Sequence, residues 1–384
     1  MQVGVMAIDP LTLVVELEQP AGYFLSLLAH PSTFPVPRQT LEVSGQDWTE
    51  IENLVNNGPF LLEDWQPEES LTLVRNPNYH GSHRGNVQRV ELTNVDEMEP
   101  LDRLALYQAD QLDSLSIPDS FTQNISQLQS RYPDEYITAP VMSTLYLVFN
   151  TNHAPLNDLR VRQALVMAID VEECVQVVTG GARLPAKGGL IPPGLPGHSP
   201  GISLPYDLDG ARRLMVEAGF PKGFGRLGIW SYVRGHVPFL EYLKSCWFEA
   251  LGVELIWELI PYLRFPDFDE RLQNEQPQMI ITGWSADYPD PDNCLRIGFR
   301  VYMQEWIGWQ NAAYERLLEQ ANQCQDQAER MAFYQAAEKI LIEQAVVKPL
   351  RYGRSHRLVK SWVKNPLLVM KIKHDYKDVI IEPH

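Results

Sequence analysis

Long apolar runs and an excess of basic residues are both missing from this 384-residue sequence. No stretch of about 18 apolar residues occurs, so no segment is predicted to span a membrane. The chain carries 32 Lys and Arg against 49 Asp and Glu, which gives a net charge of −17. This charge argues against a nucleic-acid-binding face, because phosphate contacts require clustered cations.

Cysteine is also scarce. The sequence has Cys174, Cys246, Cys294 and Cys324. They lie too far apart for a zinc-type Cys-x-x-Cys site and are too few for a disulfide scaffold. The redox compartment and the disulfide state are therefore left open.

The first ten residues lack the basic region, the apolar stretch and the lipobox cysteine of an export signal. Residues 12–17 indicate a strand and residues 23–29 a short helix, with almost no lead-in. We expect either a protein that is not exported or one whose native N-terminus lies upstream. The abrupt start of the pattern favours the second.

Motifs for nucleotide chemistry are absent: there is no Walker A lysine loop and no dinucleotide glycine fingerprint. The segment Gly197-His198-Ser199-Pro200-Gly201 matches the nucleophile-elbow pattern, which requires a strand before it and a helix after it. Proline-rich loop flanks it instead, and Pro200 has no N–H to donate to an oxyanion. We therefore predict that the protein is not an enzyme.

Metal-binding patterns are equally weak. His80 and His83 have no third ligand nearby. The carboxylates of Asp287, Asp290 and Asp292 suggest calcium, but interleaved prolines and the lack of a distal Glu argue against such a site. No metal and no cofactor are predicted.

The residues that are present indicate alternating helices and strands. The 45% hydrophobic content is typical of a globular protein, and the length favours two lobes. An apolar stripe in residues 161–169 and a strand at 253–260 are typical of a layered α/β protein. Helix starts are predicted at Asn157 or Asp158, Asp170, Asp207 and Asp326, and helix ends at Gly180, Gly219 and Gly252.

A candidate site follows a predicted buried strand at residues 278–281. Ligands in open α/β sheets bind just outside such strand ends. Trp284 and Tyr288 offer flat apolar walls, and Asp287 between them can meet a cation. The alternative interpretation is a plain surface turn, since Asp, Pro and Asn are common turn residues.

Several segments resemble, in order, the extracellular solute-binding proteins of family 5, the oligopeptide- and dipeptide-binding proteins of ABC importers. Most of these motifs are explained as turns and caps, and only their shared order makes the resemblance specific. They are Asn57-Gly58-Pro59-Phe60, Trp65, Arg75-Asn76-Pro77-Asn78-Tyr79, residues 147–150, Pro155 to Asp158, Arg160 to Ala164, Ile191 to Gly194, Glu217 to Pro221, Asn311 to Tyr314 and Leu358 to Trp362.

The resemblance implies an α/β, two-lobe periplasmic-binding-protein-like (type II) fold that closes over its ligand about crossing strands. Crossings are expected near residues 149–152 and 350–353. Lobe I would comprise residues 1–148, lobe II residues 149–351, and residues 352–384 would return to lobe I. Lobe I is expected to be incomplete, because the family's initial strands precede the start of this chain.

The resemblance also assigns the loop. In peptide-binding members the aspartate of Trp-x-Ala-Asp-Tyr meets the α-ammonium of the peptide, so Asp287 is the expected anchor and Trp284 lines a side-chain pocket. Tyr146, on the first crossing strand, is similarly expected to flank the ligand, and Tyr288 stays a ligand-binding candidate through its apolar ring. Some members tie this loop to the first crossing with a cysteine pair, but the matching positions here are Ser143 and Ser285.

The resemblance predicts a substrate-binding component that captures short peptides in an interlobe cleft and delivers them to permease subunits. Such a protein would be a periplasmic or extracellular monomer that reaches the membrane through the permease or an upstream lipid anchor. One alternative is the solute-sensing domain of a cytoplasmic regulator with a fused DNA-binding domain. The other is a binding protein for a non-peptide solute, such as a sugar phosphate or a metal chelate.

Overall fold

The computed structural model describes residues 4–95, 98–117, 125–260, 265–301, 304–365 and 376–384. It divides into two compact units. The first unit comprises Met1–Ala29 and Met142–Gly353, and the second comprises His30–Val141 and Arg354–His384. Strands and helices alternate through most of the first unit, as the sequence pattern predicts.

The strands, in chain order, are β1 (Val5–Asp9), β2 (Thr12–Val15), β3 (Phe60–Gln66), β4 (Ser70–Arg75), β5 (Arg89–Thr93), β6 (Ser114–Ser116), β7 (Tyr136–Phe149), β8 (Leu184–Pro185), β9 (Gly225–Ser231), β10 (Val253–Leu259), β11 (Met279–Ser285), β12 (Val347–Val359), β13 (Val363–Lys364) and β14 (Ile380–Ile381). The α-helices are α1 (Phe24–Leu27), α2 (Arg38–Ser44), α3 (Pro100–Gln108), α4 (Ile125–Arg131), α5 (Leu159–Met167), α6 (Val171–Thr179), α7 (Leu208–Glu217), α8 (Val237–Leu251), α9 (Phe265–Glu275), α10 (Gln304–Ile307), α11 (Ala312–Gln323) and α12 (Gln327–Glu343). A π-helix spans Asn293–Val301. Single 3₁₀ turns lie at Pro31–Thr33, Gly45–Thr49, Arg234–His236 and Tyr376–Asp378.

The sheet of the first unit has the order β10-β9-β11-β7-β12, with β8 paired to β12. Strands β10, β9 and β11 are parallel, and β7 is antiparallel to β11. Both faces are covered: Met279 and Ile281 pack in one core cluster, whereas Ile280 packs in the other. This alternation follows from the two-residue period of a strand and confirms the prediction of a strand buried on both sides.

Helix starts in the first unit agree with the predicted caps. Asp158, Asp170, Asp207 and Asp326 each accept a hydrogen bond from a backbone N–H in the first turn of the following helix. A side-chain oxygen can do this because the first helical N–H groups have no partner within the helix. Gly252 ends α8 at a φ of 69°, a left-handed conformation that glycine adopts without strain.

The second unit contains the antiparallel sheet β3-β4-β5, the pair β13-β14, and β6 alongside the end of β12. Its core cluster includes Leu104, Tyr107, Leu115, Leu128 and Leu358. The Arg-Asn-Pro-Asn-Tyr motif forms a turn in which Asn76 donates to the Gly58 carbonyl and accepts from the Asn78 N–H. The motif therefore has the structural role expected of it.

The chain passes from one unit to the other at residues 141/142, within β7, and at 353/354, within β12. Residues 1–29 group with the first unit. Tyr23 contacts the rest of this unit, because its ring stacks on Tyr288 and its hydroxyl accepts a hydrogen bond from Arg296. The division into lobe I, lobe II and a C-terminal return stays a prediction. Among the described residues, no helix combines the length and the apolar character needed to cross a membrane.

A buried carboxyl holds the proline- and glycine-rich loop that precedes α7. Glu338 of α12 is fully buried, and its Oε1 accepts a hydrogen bond of 2.8 Å from the Ile191 N–H. A side chain at Gly189 would overlap the carboxyl, so only glycine fits there. Burial raises the pKa of Glu338 to about 8, although the N–H groups of Ile191 and Leu190 act in the opposite direction.

The raised pKa of Glu338 predicts a pH dependence of stability. Between pH about 4.3, the ordinary pKa of a glutamate, and pH about 8, the carboxyl is neutral when folded and ionised when unfolded. Unfolding then releases a proton, so this group lowers stability as the pH rises through that interval. We expect the stability advantage of Glu338→Gln over the wild type to grow from pH 5 to pH 8, by at most about 1.4 kcal/mol per pH unit.

Urea unfolding at the two pH values measures this difference. Glu343→Gln is the matched control, since Glu343 ends the same helix but its side chain is 57% exposed. This variant removes a carboxylate from the same helix without the burial that distinguishes Glu338. A Glu338→Gln difference that stays constant from pH 5 to pH 8 would contradict the assignment.

Candidate ligand-binding site

The candidate loop begins where β11 ends. The Ala286 N–H donates a 2.8 Å hydrogen bond to the Met142 carbonyl, and the chain then leaves the sheet. Residues 287–292 lead directly into the π-helix Asn293–Val301. π-Helical turns are rare and occur often at functional sites. The loop is therefore fixed at both ends by regular structure.

Trp284 and Asp287 are brought together by one side chain that the sequence analysis did not single out. Asn293 Oδ1 accepts hydrogen bonds from the Trp284 indole Nε1, at 2.7 Å, and from the Asp287 backbone N–H, at 3.2 Å. Its Nδ2 donates to Asp287 Oδ2 at 3.3 Å. Asn293 is buried, whereas Asp287 is exposed.

Tyr146 lies behind this group. It is only 1% exposed, and its hydroxyl donates to the Gly298 carbonyl at 3.3 Å. A Cβ on Gly298 would lie 2.7 Å from the Trp284 ring, so the indole packs directly on the backbone of the π-helix. Tyr146 thus supports the surface against which Trp284 rests. Its predicted direct contact with a ligand stays a prediction.

Tyr288 is buried too. Its ring stacks on Tyr23, with centroids 5.0 Å apart, and its hydroxyl donates to Asp292 Oδ2 at 2.8 Å. Burial and the negative charge of Asp292 raise the pKa of this phenol. The side chain is therefore a neutral hydrogen-bond donor at physiological pH. A contact with a ligand remains a prediction for it as well.

Two of the three aspartates are neutralised by arginines. Arg330 of α12 makes a bidentate pair with Asp290, at 2.7 and 2.6 Å, and Arg296 makes one with Asp292, at 2.7 Å for both contacts. Burial would lower the pKa of Arg330, but the hydrogen bonds to Asp290 raise it overall. Bidentate pairs of this kind are strong and directional.

Asp287 differs from these two carboxylates. Within the described parts of the chain, no lysine, arginine or histidine forms an ion pair with it. Its carboxylate is exposed and is oriented by Asn293 beside the Trp284 indole. The site therefore presents one available negative charge next to an aromatic surface.

The other candidate patterns have structural roles. Ser199 lies in a loop, where its hydroxyl donates to the Gly197 carbonyl, and the His198 ring contacts the Ile191 carbonyl at 2.6 Å. The rings of His80 and His83 both pack against Tyr79. The four cysteines are free thiols, and Ser285 pairs across the strands with Ser143, where some family members have cysteines.

Comparison with known proteins identifies the family. The profile of the bacterial extracellular solute-binding proteins, family 5 (middle region), matches residues 1–301. The chain belongs to this family. The resemblance seen in the ordered motifs is thereby confirmed, as is the prediction of a binding protein rather than an enzyme.

Two similar proteins from Escherichia coli K12 are named for different ligands. The chain is 31% identical to the probable deoxycholate-binding periplasmic protein YgiS over 369 residues, which are 94% of this chain and 67% of the relative. It is 30% identical to the periplasmic oligopeptide-binding protein OppA over 378 residues, which are 95% of this chain and 68% of the relative.

A solved structure shows the same fold. The Escherichia coli murein tripeptide binding protein MppA superposes with a TM-score of 0.79 at 27% identity, over 99% of this chain and 75% of that chain. The predicted fold class, an α/β periplasmic-binding-protein-like fold of type II, is confirmed by this likeness.

The buried Asp290–Arg330 pair generates a stability prediction. Replacing one partner of a buried pair leaves the other charge uncompensated, which typically costs about 3–5 kcal/mol. We expect Arg330→Met to lower the free energy of unfolding by about this amount. Arg226→Met is the control, because the Arg226–Glu254 pair of the same unit is exposed and should contribute less than about 1 kcal/mol. Chemical denaturation of both variants measures the difference, and equal losses would contradict it.

Proposed function

We propose that this chain is the substrate-binding component of an ABC-type peptide importer. It binds short peptides through their α-ammonium group and delivers them to permease subunits. The observation that carries the proposal is the exposed Asp287 carboxylate, which has no cationic partner among the described residues although both neighbouring aspartates have one. A solute with a positively charged end supplies the missing partner.

The chemistry of the site fits the end of a peptide. An ammonium group has three N–H donors and forms charge-assisted hydrogen bonds with a carboxylate. The Trp284 indole beside Asp287 adds a flat apolar surface for the first side chain. Such a site reads the terminal charge and tolerates variation in sequence.

The names of the relatives support a peptide as the ligand, but not all of them are named for peptides. OppA and MppA are named for oligopeptides and murein peptides, whereas YgiS is named for deoxycholate. Deoxycholate carries no ammonium group, so Asp287 would have no role with such a ligand. The DNA-binding regulator is not favoured, because these relatives are named as periplasmic proteins.

In this role the protein is a monomer on the outer side of the cytoplasmic membrane. It contacts the membrane through the permease. No cofactor, metal or nucleic acid takes part in this function. Native mass spectrometry of the purified protein would identify a copurified solute directly. A bound peptide would support the proposal. A bound steroid acid or sugar phosphate would contradict it and would identify a non-peptide ligand.

Asp287→Ala tests the anchor. If the ligand buries the ion pair between its ammonium and Asp287, removing the carboxylate typically costs about 2–5 kcal/mol, or on the order of 30-fold to several thousand-fold in affinity. We expect a loss of this size for a tri- to pentapeptide mixture with free N-termini, measured by calorimetry. Asp209→Ala is the control, because Asp209 is an aspartate of α7 whose side chain is 85% exposed.

N-acetylated peptides measure how much the ammonium group contributes to binding. Acetylation removes the charge and should weaken binding to the wild type far more than binding to Asp287→Ala. If the wild type binds free and acetylated peptides equally well, Asp287 is not the anchor and a non-peptide solute becomes the better candidate.

A further inference from the structure

Asn293 uses both ends of its amide at the candidate site. Its carbonyl oxygen accepts from the Trp284 indole and from the Asp287 N–H, and its amino group donates to the Asp287 carboxylate. An asparagine amide offers an uncharged acceptor and a donor on one short planar group. An aspartate would place a second negative charge against Asp287, and a serine would be too short to reach both partners.

The position of Asn293 is itself fixed. It is 1% exposed and is the first residue of the π-helix. Its backbone N–H donates to the Asp290 carbonyl at 3.1 Å, and Asp290 is held by Arg330. The buried ion pair therefore sets the place of the amide, and the amide sets the directions of the half-buried Trp284 indole and the exposed Asp287 carboxylate.

We propose that Asn293 is a positioning residue that gives the site its selectivity for an α-ammonium group. By holding the Asp287 carboxylate beside the indole, it orders the negative charge before the ligand arrives. Ordering in advance reduces the entropy lost on binding and favours a ligand whose cation fits that one geometry. Asn293 is buried beneath the loop and acts through Asp287 and Trp284. The inference rests on the proposed function and names a further residue for the same site.

The test compares the wild type with Asn293→Ala. The quantity measured is the affinity ratio for one alanine tripeptide with a free N-terminus and the same tripeptide N-acetylated. A lost hydrogen bond that orients a charged group should reduce this ratio about three- to tenfold. General destabilisation lowers the folded fraction and therefore weakens the apparent binding of both peptides by the same factor. It leaves the affinity ratio unchanged.

Asn150→Ala is the matched control. Asn150 is also fully buried and uses both ends of its amide, donating to the Pro277 carbonyl and accepting from the Asn152 N–H. These two hydrogen bonds do not involve Trp284 or Asp287, so this variant should lose stability but keep the wild-type ratio. If Asn293→Ala does not fold, Asn293→Ser fills part of the space and provides the same measurement.

A double variant separates positioning from a direct contact. In an Asp287→Ala background, Asn293→Ala should leave the ratio unchanged, because the carboxylate that it orients is gone. A further fall in the ratio would overturn the inference. The inference would also be overturned if the single Asn293→Ala variant kept the affinity ratio of the wild type. If the wild type itself shows no preference for the free N-terminus, the proposed function fails first, and the role of Asn293 fails with it.

Discussion

The bidentate pair between Asp290 and Arg330 is the interaction on which the rest of the site depends. It joins the loop after β11 to helix α12 in a place where both side chains are buried. Charges in such a place must be compensated, since removing them from water is costly. Asp292 and Arg296 meet the same requirement one step further along the loop. Among the residues that the structure describes, Asp287 is then the loop aspartate that has no cationic partner.

In this arrangement the residues that hold the loop in place differ from those that are available to a ligand. Tyr288, Tyr146 and Asn293 are buried and hold the loop from behind, whereas Asp287 is exposed. Aromatic residues of a candidate site are often assumed to touch the ligand. Here the hydroxyls of both tyrosines bond to protein groups, at Asp292 and at the Gly298 carbonyl. The Trp284–Asp287 segment is the part that presents polar and apolar groups outward.

Two features of strand β11 fix where this loop begins. Strand β11 is short, apolar and covered on both faces, so it lies inside the sheet and ends sharply. The neighbouring strand β7 pairs with β11 from Phe149 to Ser143, and the Met142 carbonyl accepts a hydrogen bond from the Ala286 N–H. The loop therefore starts at a fixed point at the end of the sheet.

Features that depend on near neighbours along the chain could be predicted from the sequence: the buried strand before the loop, the aspartate caps of the helices and the ordered motifs of family 5. A cap or a strand period involves residues only a few positions apart, so the pattern carries the information. The tertiary structure was needed to show which aspartate has no cationic partner within the described parts of the chain, and which side chain orients it. Arg330 lies 40 positions from Asp290, and Tyr23 lies 273 positions from Arg296. Such pairs form only when folding brings distant side chains into a buried place where a charge must find a partner.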